Sequence, residues 1–121
     1  MSSKVDVLGL GNSLIDIIAL TDEAYLVEQE MLKGAMTLID EDRAEALYAA
    51  RREPRIVSGG SAANTIVGVA SFGVSAAYIG KVKHDELGEI FRNDLRSTGV
   101  AYDTELAAHG PATGRCFVYV T

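Results

Sequence analysis

The sequence predicts an α/β fold in three layers, with helices on both faces of a mainly parallel sheet. Three observations carry that class. Short β-branched and apolar runs alternate with helical patterns of roughly 10 to 15 residues, in the order β-β-α-β-α-β-α-β. Glycine, aspartate and proline stand at the junctions between those runs. The 121 residues are 48% hydrophobic and 23% charged, which suits one globular domain with a sizeable core.

The first strand is expected over residues 5–11, mostly apolar and ending in the turn Gly11-Asn12-Ser13. A second strand follows over 14–20, with Leu14, Asp16, Ile18 and Leu20 on one face. Residues 21–33 are acidic and read as a turn and a short helix, and Gly34 separates them from a third strand over 35–39. Asp40 is a good N-cap for a helix over 41–52, whose Ala44, Leu47 and Tyr48 share a face and which Pro54 terminates. Ile56 and Val57 then lead into Gly59-Gly60. Ser61 is the expected N-cap of a small-residue helix that runs to Phe72, with Gly73 as its stop. A strand over 74–79 and an Asp85-capped helix to Thr98 follow, the latter with Leu87, Ile90, Phe91 and Leu95 inward. Residues 102–110 read as irregular or as a short strand, and the last strand is expected over 113–121.

Charge and cysteine content exclude several classes. A net charge of −6 without a basic cluster argues against nucleic-acid and anionic-membrane partners. No apolar run is long enough to span a bilayer, and the amino-terminal residues lack the pattern of a signal peptide. The single cysteine, Cys116, forms no internal disulfide, so a reducing, cytoplasmic setting is expected. His84 and His109 stand apart as loop residues, and no cluster has metal-ligand spacing.

Chemistry concentrates at Ser58-Gly59-Gly60-Ser61-Ala62-Ala63-Asn64. Paired glycines let a backbone approach a ligand closely, and a helix starting there adds unpaired amides. A Walker-type phosphate loop would need Gly-Lys-Ser/Thr, and no lysine follows. Gly9-Leu10-Gly11 fails the dinucleotide fingerprint, because Leu14 occupies the position of its third glycine. Asn64 offers a donor and an acceptor within the first helical turn, which suits a neutral polyol better than a phosphate. Asp16 is the one charge in an apolar strand; it could accept from two vicinal hydroxyls, or it could pair with an arginine or cap a turn. Asp85 reads as a helix cap rather than a catalyst, and Cys116 as a small buried hydrophobe unless its strand lines a pocket.

Gly11-Asn12-Ser13-Leu14-Ile15-Asp16 together with Gly59-Gly60-Ser61-Ala62-Ala63-Asn64 resembles the N-terminal half of the PfkB/ribokinase family. Phe72-Gly73, Tyr78-Ile79-Gly80-Lys81, Asp85-Glu86-Leu87-Gly88, Gly99-Val100 and Thr113-Gly114 extend the likeness over nearly the whole chain, and Ile66 departs from it where a small residue is usual. The resemblance implies a ribokinase-like α/β/α domain with a small β-sheet lid, whose strands lie at 35–39 and 113–121. It implies an ATP- and Mg2+-dependent kinase of a sugar or nucleoside. Asn12 and Asp16 would hold ribose hydroxyls, and Gly59, Gly60, Ser61 and Asn64 would complete the sugar pocket. Gly-Asn-x-Leu-x-Asp and Thr-Gly-x-Cys look most like the adenosine kinase branch, which places Cys116 near a nucleoside. The family's Gly-Ala-Gly-Asp motif, which carries the general base, and its Asn-x-x-Glu motif are not in these residues. No catalytic residue is therefore expected within this stretch. The expected function is the acceptor-binding half of an adenosine kinase-like phosphotransferase. A fructokinase- or ribokinase-like sugar kinase is the alternative, as is a non-catalytic nucleoside- or sugar-binding module should 121 residues be the whole protein. Pairing of lid strands would allow a homodimer.

Overall fold

The structure is a computed structural model and describes residues 4–121. In chain order it contains β1 (Val7–Leu10), β2 (Leu14–Leu20), α1 (Glu23–Glu28), α2 (Glu41–Ala49) and β3 (Arg55–Gly59). These are followed by α3 (Ser61–Ser71), β4 (Ala76–Ile79), α4 (Glu86–Ser97) and β5 (Arg115–Val120). The strands form two sheets. β1 and β4 pair in parallel, with Val7 opposite Ala76, and β2 lies between β3 and β5. β2 is antiparallel to β3 and parallel to β5, so these three strands build a mixed sheet.

Local sequence explains the helices. Asp22, Asp40 and Asp85 each sit in extended backbone before a helix, and each side chain accepts an amide from its first turn. Gly73 and Gly99 follow α3 and α4 with φ of 83° and 89°, the left-handed ending that glycine favours. α4 turns Leu87, Phe91 and Leu95 inward, where Phe91 meets Tyr78 and Tyr102 at centroid distances of 6.0 and 5.5 Å. Each fully buried side chain of this kind contributes about 1.5–3 kcal/mol relative to exposure. The core extends from there through Ile66 and Ala63 of α3 to Ile15 and Ile17 of β2, and so joins both sheets.

Three expectations fail in instructive ways. Residues 35–39 form no strand: they are exposed, Leu38 at 88%, and no ladder partner lies beside them. A strand is stable only where its amides meet another strand, and local composition cannot supply that partner. The place in the three-stranded sheet goes instead to β3, whose Ile56 and Val57, by sequence only an apolar lead-in to the glycines, pair with Ile17 and Asp16 of β2. Ser61 is not the N-cap of α3. Gly60 holds that position with φ 101°, no side chain caps the helix, and Ser61 is its first residue. The departure at Ile66 is resolved by Gly9: a Cβ on Gly9 would overlap the Ile66 side chain, which is 3% exposed over that notch. Gly9 is thus a packing glycine, in keeping with the rejection of a dinucleotide loop.

Candidate functional site

The site grows from the pleat of β2. Ile15 and Ile17 point into the core, so Asp16 between them points to the opposite face. Its cross-strand neighbours are Val57 of β3 and Cys116 of β5, and directly opposed residues share a face. Asp16 is half-buried, and among the described residues its carboxylate takes part in no hydrogen bond or ion pair. A pairing arginine, one of the readings open from the sequence, is therefore not what holds it.

Gly59 ends β3 opposite Leu14, in the space beside that carboxylate. A Cβ on Gly59 would lie 2.5 Å from Oδ2, 2.7 Å from Cγ and 2.9 Å from Oδ1 of Asp16. The missing side chain is what lets the carboxylate lie against the turn. Gly60 follows with φ 101°, and a Cβ there would lie 2.7 Å from the carbonyl oxygen of Asn12. Positive φ and a close backbone neighbour both require glycine at that position. The two glycines therefore join the turn after β1 to the start of α3.

Asn12 is exposed in the turn, with its main chain against Gly60. Ser61 and Asn64 are exposed in the first turn of α3; the Asn64 amide donates to the Gly60 carbonyl at 2.9 Å, and its side chain makes no hydrogen bond within the described residues. α3 begins without a side-chain cap, so its leading amides have no side-chain acceptor. Cys116 is half-buried beside Asp16. Burial pushes its thiol above the usual value, and the Asp16 charge adds to that rise. The structure thus brings Asp16, Gly59 and Cys116 onto one face and Asn12 against Gly60.

Sequence reading missed the groups that stiffen this floor. Ser13 is 7% exposed, and its Oγ lies 3.1 Å from the Tyr78 hydroxyl, which donates to the Gly11 carbonyl at 3.0 Å. Asp94 of α4 accepts the Ser58 amide at 2.8 Å, satisfying an edge group of β3 one residue before Gly59. The polar residue after Gly11-Asn12 was a faint signal for the first; Asp94, 36 residues from Ser58, gave none. Arg115 of β5 pairs with Glu45 of α2 and lies over the Tyr48 ring, which fixes α2 against the small sheet.

The described residues do not fit a metal centre: they contain no group of three or more His, Cys, Asp or Glu side chains able to hold an ion. A turn with a free carboxylate and unclaimed amides suits hydroxyl groups rather than a metal-bound phosphate.

The comparison with known proteins gives the family. The model of the pfkB family carbohydrate kinases matches residues 8–121, and this chain belongs to that family. It is similar to the adenosine kinase from Sinorhizobium meliloti, with a TM-score of 0.82 and 49% identity, over 98% of this chain and 36% of that one. A probable sugar kinase protein from Rhizobium etli CFN 42 matches equally in fold, with a TM-score of 0.82 and 43% identity over 98% of this chain and 36% of that one. Adenosine kinase 2 of Arabidopsis thaliana is 30% identical over 131 residues, covering 98% of this chain and 36% of its own length. The chain accordingly has the N-terminal part of the ribokinase-like fold and spans about a third of these relatives.

Proposed function

We propose that this chain forms the acceptor-binding portion of an ATP-dependent kinase acting on the primary hydroxyl of a nucleoside, with adenosine the first candidate. The observation that carries the reading is the Asp16 carboxylate, set against Gly59 and without a partner among the described residues. A half-buried carboxylate calls for donors, and two vicinal hydroxyls provide them at about 1.5–3 kcal/mol per charged hydrogen bond. Asn12, whose main chain lies against Gly60, and Asn64 in the first turn of α3 would add amide groups, and the uncapped start of α3 would add backbone donors. Held there, the acceptor's remaining hydroxyl is oriented for in-line phosphoryl transfer, and such positioning is a large share of the catalysis in this chemistry. ATP supplies the phosphoryl group, and the described residues offer neither its Walker-type loop nor its metal ligands.

The mixed sheet of β2, β3 and β5 is the lid over that acceptor, and Cys116 lies at the nucleoside's edge. The similarity to a probable sugar kinase favours a second reading, a hexose or pentose acceptor on the same floor. β5 is an edge strand, so a second copy could pair through it. The test is phosphate transfer by the full-length protein across a panel of nucleosides and sugars, with Asp16→Ala alongside. A preference for adenosine that Asp16→Ala abolishes supports the nucleoside reading. Transfer to a sugar alone replaces the acceptor, and wild-type kinetics in Asp16→Ala overturn the site.

A further inference from the structure

Asp85 does more than cap α4. Its Oδ1 accepts from the Gly88 amide at 2.8 Å and from the Thr113 hydroxyl at 2.6 Å, while Oδ2 accepts from the Thr113 amide at 3.0 Å. The Thr113 hydroxyl, having given its proton to Asp85, accepts in turn from the Lys83 amide at 3.0 Å. Thr113 is 4% exposed and Asp85 is half-buried, so these bonds are partly shielded from water. The fit is tight on the helix side as well: a Cβ on Gly88 would overlap the Lys83 carbonyl.

The clamp sits at the root of the small sheet. The next residue, Gly114, accepts the Ile15 amide at 2.9 Å, which begins the parallel ladder of β2 with β5. One step further along that ladder, Asp16 lies opposite Cys116. A slip in register displaces every pair of a ladder, so a contact that fixes the chain where the ladder begins bears on all of them. We infer that Asp85 is a positioning residue: through Thr113 it sets where β5 meets β2, and so sets Asp16 and Cys116 relative to the glycine turn. This inference rests on the acceptor site proposed above for its kinetic consequence, but not for its structural one.

Carboxylate chemistry makes the clamp separable from the cap. An asparagine at position 85 could still cap α4 through one oxygen, but its NH2 group would face the Thr113 amide, donor against donor. Valine at position 113 keeps the shape of threonine and removes the hydroxyl, whereas serine keeps the hydroxyl. The experiment uses full-length protein carrying Asp85→Asn, Thr113→Val or Thr113→Ser. The first readout is alkylation of Cys116 by iodoacetamide at pH 8, followed on its own peptide by mass spectrometry. The rate should change at least threefold in Asp85→Asn and Thr113→Val and return to the wild-type value in Thr113→Ser. The second is a split in the kinetics: KM for the acceptor should rise about tenfold in the first two variants, with KM for ATP within twofold of wild type. Equal shifts in both KM values, or a Cys116 rate unchanged in folded Asp85→Asn and Thr113→Val, overturn the positioning role. A wild-type protein that transfers no phosphate defeats the kinase reading instead, and the alkylation rates still decide this one.

Discussion

Placing one methyl group at Gly59 tests the candidate site with little else disturbed. The added Cβ of Gly59→Ala would lie 2.5 Å from Asp16 Oδ2, 2.7 Å from Cγ and 2.9 Å from Oδ1. Reaching an ordinary contact of roughly 3.4 Å needs a retreat of about 0.9 Å. Asp16 is half-buried and has no partner among the described residues, so the carboxylate can rotate away without breaking a bond to them. Gly59 does not have positive φ, so alanine fits its backbone. The lost chain entropy of the unfolded state then favours the variant by about 0.4–1 kcal/mol, against an overlap cost of about 1–3 kcal/mol that the rotation reduces. Thermal unfolding should therefore move by only a few degrees. Acceptor binding should suffer far more. A misplacement of about 1 Å in an orienting group can lower kcat/KM on the order of 100-fold, and the loss of one charged hydrogen bond alone is worth about 1.5–3 kcal/mol. Steady-state kinetics of full-length Gly59→Ala, beside a melting curve, make the measurement. A folded variant with wild-type kcat/KM for every acceptor would refute the placement of Asp16 in the site.

Gly60→Ala should behave differently, because φ 101° and the Asn12 carbonyl at 2.7 Å penalise a side chain by two routes; calorimetry should show a loss of about 1–3 kcal/mol in stability together with the loss of activity. Burial and then the Asp16 charge hold the Cys116 thiol above its usual pKa, so its alkylation should be slow near pH 8 and accelerate as pH rises; Asp16→Asn removes the second cause and should raise the rate at fixed pH, whereas no change would separate the two groups. Burial resists ionisation of Asp85, but the Thr113 hydroxyl, the Thr113 and Gly88 amides and the charge of Lys83 outweigh it and hold the carboxyl below its ordinary value. A depressed folded pKa contributes stability that is complete above the unfolded value near pH 3.9 and is lost as pH falls through the lower folded value. Wild-type protein should thus lose stability below about pH 4 more steeply than Asp85→Asn in acid titrations followed by circular dichroism.

Much of this chain was legible as sequence because its signals are local. Asp40 and Asp85 cap helices within three residues of themselves, Gly73 and Gly99 end them, and the pleat of β2 sends Asp16 away from Ile15 and Ile17 whatever surrounds the strand. The motifs around Asn12, Asp16 and Gly59 to Asn64 likewise led to the family before any coordinate was needed. Tertiary structure decided everything that depends on a distant partner. Strand formation at 35–39 failed and at Arg55–Gly59 succeeded because a ladder needs a neighbour, and β2 was the neighbour available. Gly60 took the N-cap from Ser61 because the Asn12 carbonyl leaves no room for a side chain there. Thr113 meets Asp85 across 28 residues, and Ser13 meets Tyr78 across 65, through contacts no spacing encodes. Residue types decided which groups carry donors and acceptors; the pairing of β3 and β5 with β2 decided that Asp16, Gly59 and Cys116 would face the same space, since only folding removes the chain length between them.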